Sequence, residues 1–494
     1  MRLTLPLFTI ILIIFIAVPA SAQEKWDLKK SVEYAWEHNV TVRQASIQAD
    51  IDSLTLRLNR LAQYPFASAN TGLGMRFGRS IDPSTNQFTT TQFLSQQYNF
   101  QASITIFNWN SLKNNILSAR YGAEASRMDV EKSRNDLALN VASQYLQALL
   151  AQEQIHVAEV QVQQTQGQLL DTRKRVDAGS LPELNAVQLE AQLATDSSSL
   201  ITAKSNAELS LLSLKALLYL DAAAPFVLDA PPVENIPVDP ITELQPDFVF
   251  DMAMKFQPAQ KSNELRIKSL EAGLKASKSL MYPTLSGFGA LGSNFSNSLK
   301  ELKSAQFIGY SNAFPGGPVS VDTTGGVTRY YPVVDPNIKS TTGGKSFGKI
   351  WNGYGSQLNN NFGQNLGVQL NVPIFNGGTA RINYQKAKLN LLNAKVSREA
   401  IDQTLKQNIY QAYTSAVAAL EKYNATQSTV NATQKAFDFA TKRYDLGLLS
   451  TLELITAQTN FTKAKLDLLT SHYDYVFKMK VLEFYKGQGI KLSK

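Results

Sequence analysis

The side chains with the greatest potential for metal or acid–base chemistry in this chain are its three histidines. His38, His156 and His472 are separated by 118 and 316 residues, and the chain contains no cysteine. Metal sites in proteins usually combine histidine, cysteine or carboxylate ligands at short and recurrent spacings. The sequence therefore predicts no metal centre and no cofactor.

One stretch has a partial resemblance to a phosphate-binding loop. TTGGKSFG, residues 341–348, ends in the Gly-Lys-Ser of that motif, but Lys339 stands where its first glycine belongs. The stretch lies within residues 297–360, which hold ten of the 27 glycines and are rich in Ser, Thr, Asn and Tyr. We interpret 297–360 as a long loop and expect no enzymatic activity.

The chain is basic, with a net charge of +8 over 494 residues. Lysine and arginine are spread along helical stretches and alternate with aspartate and glutamate, which is typical of solvated helix faces. A nucleic-acid footprint would concentrate the positive charge on one patch. We expect no nucleic-acid partner.

The first 22 residues have the pattern of a secretory signal peptide. Arg2 precedes the apolar run LPLFTIILIIFIAV, and Ala20 to Ala22 supply a small-residue cleavage site, so Gln23 is the predicted mature N-terminus. The alternative is an uncleaved anchor helix. No other segment has the roughly 20 apolar residues of a membrane helix, so a membrane span would have to use strands.

The chain contains a tandem repeat, most visible in two short stretches. RVDAGSLPEL (175–184) returns as RYDLGLLSTL (443–452), at an offset of 268 residues that holds without a gap from about residue 106 to 200. Tyr64-Pro65 matches Tyr282-Pro283 at an offset of 218, so the second copy carries an insertion of 50 residues. We assign the first repeat to 23–245 and the second to 246–494, with 297–360 as its inserted, extracellular loop.

Each repeat contains an unusually long helix that ends in a tight turn. Residues 111–177 and 379–445 lack proline and show apolar side chains at helical spacing, which predicts two helices of about 100 Å at 1.5 Å per residue. Glycine follows each helix at a position that favours the left-handed conformation. Ser180 with Glu183, and Ser450 with Glu453, predict capping boxes that start the returning helices at 183–220 and 451–487.

Four segments have the alternation of strands. Residues 98–107 and 365–374 alternate apolar and polar side chains over ten residues, as outer-membrane strands do; 66–77 fits less cleanly and 284–295 is ambiguous. A soluble sheet with one wet face alternates in the same way. Four strands cannot span a bilayer alone, because open edges leave backbone groups unpaired in lipid. Two chains would give eight strands, and three would give twelve and room for a passage.

The order of elements resembles that of the TolC family of outer-membrane efflux proteins. The resemblance rests on IFNWN and VPIFNGG, where strand passes to long helix, and on the tips RVDAGSLPEL and RYDLGLLSTL. Each of these two motifs therefore occurs twice, in register. It implies a mainly α fold with β: a long antiparallel α-helical coiled-coil barrel joined to a trimeric 12-stranded transmembrane β-barrel, with four strands from each chain. The implied partners are two further copies, a periplasmic adaptor, an inner-membrane pump and outer-membrane lipid.

The resemblance also implies roles for residues at the tips. The adaptor-docking residues that it implies are Gly179, Ser180, Leu181, Gly447, Leu448 and Leu449. The implied periplasmic gate residues are Tyr444, Glu453, Asn185, Asp177 and Asp445. Asn185 and Thr456 stand where relatives carry further acids, and Leu449 stands where an arginine is expected, so this chain departs from the family's acidic ring. Glu453 has a second interpretation as a capping residue, and both aspartates have one as solvated side chains.

These observations predict a passive exit duct in the outer membrane that extends into the periplasm and exports substrates supplied by a partner pump. The alternative is a periplasmic or surface coiled-coil structural protein whose strands pack in water and form no pore. The sequence does not identify the exported substrate.

Overall fold

The computed structural model describes residues 25–81, 88–229, 236–312, 319–322, 325, 328–332 and 334–487. The predicted signal peptide, residues 1–22, lies outside this part of the chain. Within the described residues, no helix combines the length and the apolar character that a transmembrane helix needs.

The first half of the chain is dominated by helix. Its elements are β1 (Lys25–Trp26), α1 (Leu28–His38), α2 (Val40–Leu61), β2 (Phe66–Ile81), β3 (Phe88–Phe107), α3 (Ser111–Asp177), α4 (Glu183–Leu218) and β4 (Val227–Leu228). The predicted helix 111–177 is confirmed at both ends, and the helix after it ends two residues before the predicted limit. The sequence did not predict α1 as a separate helix.

The second half repeats this order with an insertion. Its elements are α5 (Pro246–Phe256), α6 (Pro258–Ser279), β5 (Thr284–Ser298), β6 (Lys300–Asn312), β7 (Val319–Asp322), β8 (Arg329–Pro332), β9 (Val334–Gly344), α7 (Phe347–Ile350), α8 (Tyr354–Asn360), β10 (Gly363–Asn371), α9 (Thr379–Asp445) and α10 (Thr451–Lys486). The second long helix is also confirmed at both ends.

The interpretation of 297–360 as a long loop is wrong for most of its described residues. This segment forms two antiparallel strand pairs, β6 with β9 and β7 with β8, followed by the short helices α7 and α8. Its glycine content misled the prediction, because several of the described glycines, such as Gly343, Gly344 and Gly355, lie inside strands or helices. Gly309 follows a register shift in β6 and has a φ of +126°.

The chain divides into two compact units. One contains most of the helical residues, namely those up to Leu58, Asn114–Lys275 and those from Asn383 onward; the other contains Asn59–Lys113 and Ala276–Ile382.

The helical unit has two hydrophobic clusters related by the repeat. In the first, Val141 of α3 packs with α1 and with Leu214 of α4. In the second, Ile409 of α9 packs with α5 and with Leu482 of α10. Each residue of the second cluster named here lies 268 positions after its counterpart, so the duplication is visible in the packing as well as in the sequence.

Tyr145 links β1 and β4 to the first cluster. Its side chain is buried on α3, and its hydroxyl group lies 2.9 Å from the carbonyl oxygen of Trp26 and 2.5 Å from that of Asp229. Burial raises the pKa of Tyr145, because the phenolate would lose its hydration, and the charge of Asp229 raises it further. The hydroxyl therefore stays protonated and holds β1 against β4.

The second unit is built on one four-stranded antiparallel sheet with the order β10-β5-β3-β2. The hairpin of each repeat contributes two strands, and β3 pairs with β5 where the repeats meet. All four segments contain strands, including 284–295, which was ambiguous in the sequence. β10 ends three residues before the predicted limit of 374, and β3 is twice as long as its predicted segment. Among the described residues, the outer edges of β2 and β10 pair with no other strand.

The register gives the sheet two contrasting faces, because side chains alternate along each strand. We call one the apolar face; it includes Ala67, Ala69, Leu73, Met75, Phe77, Phe100, Ala102, Ile104, Leu285, Leu291, Leu366, Val368 and Leu370. The other, the polar face, includes Ser68, Asn70, Gln97, Asn99, Gln101, Asn294, Asn365 and Gln369. On the apolar face Leu366, Val368 and Leu370 are 83%, 70% and 64% exposed in the single chain.

Candidate functional site

The two helical tips, residues 175–184 and 443–452, have the same backbone structure. Gly179 and Gly447 have φ values of +70° and +71°, in the left-handed region. In the first tip Ser180 N donates to Arg175 O at 2.8 Å, and in the second Leu448 N donates to Arg443 O at 2.8 Å. These are Schellman motifs, which close a helix by satisfying its last carbonyl groups. The repeated glycine is therefore explained by the turn itself.

The two returning helices begin differently, and one of the predicted capping boxes is wrong. At the second tip, Ser450 Oγ accepts from Glu453 N, and the Glu453 carboxylate accepts from Ser450 N at 3.0 Å. At the first tip, α4 is preceded by Pro182, which has no side-chain cap, and Ser180 Oγ instead donates to Arg175 O at 2.8 Å. Proline displaced the capping serine by two positions.

The capping box alters the acidity of Glu453. The backbone N–H and then the hydroxyl of Ser450 lower the pKa of this exposed carboxyl, with a smaller contribution from the charge of Arg443. The Glu453 carboxylate is thus engaged in starting α10, as its structural interpretation proposed.

Tyr444 lies at the contact between the two long helices. It is 8% exposed, and its hydroxyl lies 2.9 Å from that of Thr172 on α3. Thr451, at the start of α10, donates to the Tyr444 hydroxyl at 3.4 Å. Thr172 and Thr451 are each 1% exposed. Three buried hydroxyl groups from α3, α9 and α10 therefore satisfy one another just before the tips.

Ion pairs join the helices at the first tip. Arg173 donates to Glu183 at 2.6 Å and also to Glu190, which joins the end of α3 to the first two turns of α4. Arg175 lies 3.6 Å from Asp445, so the last turns of α3 and α9 are also linked. All of these groups are partly exposed, and each pair contributes at most about 1 kcal/mol.

A buried polar cluster lies farther along the same helices. The Asp196 carboxylate on α4, 7% exposed, accepts from Thr165 at 2.6 Å, Gln192 at 2.8 Å and Gln161 at 3.3 Å. From α10, Gln458 donates to the Thr165 hydroxyl at 3.1 Å. This cluster holds α3, α4 and α10 together through hydrogen bonds that an apolar contact could not direct.

The structure brings only some of the predicted gate residues into contact. Tyr444 and Asp445 reach α3, Glu453 is occupied by its own cap, Asn185 is half-buried at the start of α4, and Asp177 is exposed. The predicted docking residues Gly179, Ser180, Gly447 and Leu448 are exposed at the tips, while Leu181 and Leu449 are half-buried.

The sequence did not predict that Thr172 and Arg175 contact Tyr444 and Asp445. A comparison of the two repeats contained a signal for the first of these contacts. At the offset of 268, Tyr444 corresponds to Val176, and Thr172 corresponds to Ala440. The bonded pair therefore occupies positions at which the two copies differ in polarity. Arg173 likewise corresponds to Thr441, so the ionic tie of the first tip is absent from the second.

The described residues contain no group of three or more His, Cys, Asp or Glu side chains placed to hold a metal ion. The site consists of turns, hydroxyl contacts and ion pairs, which can hold helices together or release them.

Comparison with known proteins gives the family. A sequence model of the outer membrane efflux protein family matches residues 34–218 and 341–486. The chain belongs to the outer membrane efflux protein family. The matched ranges include both long helices, both tips and β10, so the family pattern covers both repeats.

Individual relatives in this family are distant. The outer membrane protein TolC of Escherichia coli is 25% identical over 117 residues, which is 24% of this chain and 24% of TolC. The pyoverdine export outer membrane protein OpmQ of Pseudomonas putida is 31% identical over 114 residues, 23% of this chain and 24% of OpmQ. The alignments thus span about a quarter of these curated relatives.

Similarity of fold extends over nearly the whole chain. The solved structure of CusC matches with a TM-score of 0.69 at 17% identity, covering 94% of this chain and 92% of CusC. The CmeC outer membrane channel of Campylobacter jejuni matches with a TM-score of 0.67 at 18% identity, covering 94% and 87%. The fold of this efflux protein is therefore the mainly α fold with β of these channels.

Proposed function

We propose that this chain is the outer-membrane exit channel of an efflux or secretion system, active as a homotrimer. Three four-stranded sheets close one 12-stranded barrel in the outer membrane, and the long helices of the three chains line a passage through the periplasm. Substrates leave passively after a pump delivers them. The observation that carries this proposal is the four-stranded sheet, with two open edges and an exposed apolar face.

The sheet is incomplete in a single chain. The outer edges of β2 and β10 present unpaired backbone groups, which cost several kcal/mol each in hydrocarbon. Pairing β10 of one chain with β2 of the next removes both edges. Two chains would form an eight-stranded barrel with an interior that side chains fill, whereas three chains leave a channel.

The helices also present apolar stripes that need neighbours. On α2, Ile47, Ile51, Leu54 and Leu58 recur every three or four residues and are about half to two-thirds exposed. On α9, Leu389, Leu392 and Val396 form a similar exposed stripe. Each stripe has the spacing of a coiled-coil seam, so contact between neighbouring chains would bury both.

The polar face of the sheet suits a water-filled passage. Gln97, Asn99 and Asn294 line a concave surface on this side, together with Arg76. Amide and hydroxyl side chains interact with water and with polar solutes without binding any one solute tightly. The lining therefore supports passive transit and leaves the choice of substrate to a partner.

The tips are the proposed contacts for a periplasmic adaptor, which joins the channel to an inner-membrane pump. Leu446, Leu448 and Leu452 are each more than 60% exposed around the second tip. Apolar side chains at the end of a long helical hairpin are available to an apolar partner surface. Gly179, Ser180 and Leu181 present the equivalent turn of the first tip.

The hydroxyl cluster and the ion pairs at the tips are the proposed gate. Tyr444 with Thr172, and Asp445 with Arg175, join α3 to α9. Breaking these contacts frees the two hairpins to separate. Asn185, Asp177 and Glu453 at the same two tips are the remaining proposed gate residues.

Adjacent residues of β10 give a matched test. Val368 points from the apolar face and Gln369 from the polar face, and both are exposed in the single chain. In a lipid-facing position, arginine costs about 2–4 kcal/mol near the bilayer midplane. Val368→Arg should therefore reduce the yield of trimer extracted from outer membranes, while Gln369→Arg should assemble normally.

The measurement is the mass of the purified detergent complex, with circular dichroism of the same sample to check folding. A trimer of mainly helical signal, lost selectively in Val368→Arg, supports the proposal. A monomer, or equal effects of the two arginines, contradicts it.

A further inference from the structure

The residues from Lys345 to Phe362, here called the 345–362 segment, contain α7 and α8 and have no role in the channel proposed above. They pack on the apolar face of the sheet. Trp351 stacks on Phe295 with ring centroids 5.6 Å apart, and Tyr354 meets the same ring edge-on at 5.0 Å. The Tyr354 hydroxyl lies 2.8 Å from that of Tyr98.

The unequal lengths of the strands explain this position. β10 begins at Gly363, opposite Gly292, so the last six residues of β5 extend beyond it. In that region Gln357 accepts from the backbone N–H of Ser296 at 3.1 Å, and Asn361 donates to the carbonyl oxygen of Asn294 at 2.7 Å. The segment thus satisfies a free strand edge and covers the face beside it.

This position separates the segment from the polar face. Phe295, with which Trp351 and Tyr354 make contact, lies on the same face as Leu291 and Leu366, because the three residues alternate with Asn294 and Asn365 in the register. A cover over the passage would have to lie on the opposite side of the sheet. The segment therefore belongs to the side that meets the surroundings of the barrel.

The outer surface of the segment combines aromatic rings with positive charge. Phe347 is 78% exposed, and Phe362 is 52% exposed. The described residues 297–312 and 334–362 contain five lysines and two acidic residues, Glu301 and Asp335. Lys345 donates to Asn297 at 2.8 Å and Lys349 donates to Glu301 at 3.1 Å, so side chains of β5 and β6 hold both ammonium groups.

We propose that the 345–362 segment is a lipid-binding element that takes anionic, phosphate-bearing headgroups at the membrane surface. This inference rests on the proposed function, which places the apolar face in the bilayer. Aromatic rings accumulate at membrane–water interfaces, and lysines bury their stems there while the ammonium groups reach the headgroups. The excess of three positive charges in and beside the segment attracts an anionic lipid over a zwitterionic one.

The absence of cysteine makes depth measurements direct. A nitroxide is attached to a single cysteine in three full-length variants: Phe347→Cys in the segment, Leu366→Cys on the apolar face and Gln369→Cys on the polar face. The trimers are placed in phosphatidylcholine vesicles, alone or mixed with phosphatidylglycerol. Collision with oxygen reports contact with lipid, and collision with a water-soluble nickel complex reports contact with water.

The label at Phe347 should collide mainly with oxygen, at a shallower depth than the label at Leu366, while the label at Gln369 should be accessible to nickel. A second measurement follows retention of phosphatidylglycerol by native mass spectrometry. Near an anionic surface each lysine accounts for about a fivefold change in affinity, so Lys345→Gln with Lys349→Gln should weaken retention about 25-fold. Lys435→Gln, on α9 in the helical unit, is the control and should have no effect.

If the label at Phe347 is as accessible to nickel as that at Gln369 while Leu366 remains in lipid, the inference fails and the proposed channel stands. If the label at Leu366 is also in water, the membrane function itself fails. Retention of lipid that is unchanged in the lysine variant overturns the headgroup assignment.

Discussion

Removing one oxygen atom, in Tyr444→Phe, tests whether the hydroxyl cluster holds the proposed gate closed. The ring still fills its buried position between α3, α9 and α10, so packing is unchanged. Thr172 and Thr451 lose the hydroxyl group that lies 2.9 and 3.4 Å from theirs. Both threonines are almost completely buried, so water does not readily replace the lost partner.

The expected change in the closed–open equilibrium follows from the free energy of the lost hydrogen bonds and from the number of chains in the proposed trimer. A buried hydrogen bond contributes about 1 kcal/mol net, and the longer contact from Thr451 contributes less. Three chains therefore lose about 3 kcal/mol that favours the closed state, which changes the ratio of closed to open channels on the order of a hundredfold. This value assumes that the contact breaks completely on opening.

Single-channel current in planar bilayers measures this ratio directly. Tyr444→Phe should increase the open fraction, and Thr172→Val should have a similar effect. The two together should add little to either alone, because they remove the same contact. Tyr410→Phe is the control, since Tyr410 is an exposed tyrosine of α9 whose hydroxyl is bonded to Asp247 at 2.8 Å. Equal currents in the Tyr444 and Tyr410 variants would refute the role of the cluster.

Three further predictions concern the helical unit. Asp196→Ala removes the acceptor of three hydrogen bonds and should lower the free energy of unfolding by about 2–4 kcal/mol, measured by urea titration; Asp196→Asn, which keeps one acceptor oxygen, should lose less. Gly447→Ala forces alanine to a φ of +71° and should destabilise the tip by about 1 kcal/mol or more. Gly167→Ala lies within α3 and should stabilise the protein by about 0.5–1 kcal/mol. If both substitutions changed the free energy of unfolding in the same direction, the assigned turn would be contradicted. Because the pKa of Glu453 is lowered on folding, its contribution is present above the ordinary glutamate pKa of about 4.3 and is lost as pH falls through the lowered value. The protection of the first-turn amides of α10, measured as their exchange rate relative to the intrinsic rate at each pH, should therefore fall in acid, and Ser450→Ala should abolish that dependence.

Long-range periodicity made the helices predictable. The sequence predicts both 67-residue helices to the residue, because each begins after a turn and ends before a glycine that must adopt a positive φ. Val141, Tyr145 and Leu149 recur every four residues in the first long helix, and all three are buried because this spacing places them on one face. In these helices the local sequence signals and the tertiary packing favour the same ends and the same buried face.

The insertion and the tip contacts were less predictable because their structure depends on distant partners. Trp351 is ordered by Phe295, more than fifty residues earlier in the chain, and no local pattern connects them. Ser180 fits a capping box by spacing, yet Pro182 starts the helix later. Tyr444 could be placed at a tip, but its bond to Thr172 requires the packing of α3 against α9.

The difference between the two tips has a consequence for the response to salt. The first hairpin is tied by Arg173 to two exposed glutamates, whereas the corresponding positions in the second hairpin, Thr441, Thr451 and Gln458, are neutral. Dissolved ions screen the ion pairs of Arg173, and the second hairpin has no ion pair at the corresponding positions to be screened. In the proposed trimer, which has six hairpins, a rise in external salinity would therefore loosen the three first hairpins more than the three second ones, a difference that six identical repeats could not produce.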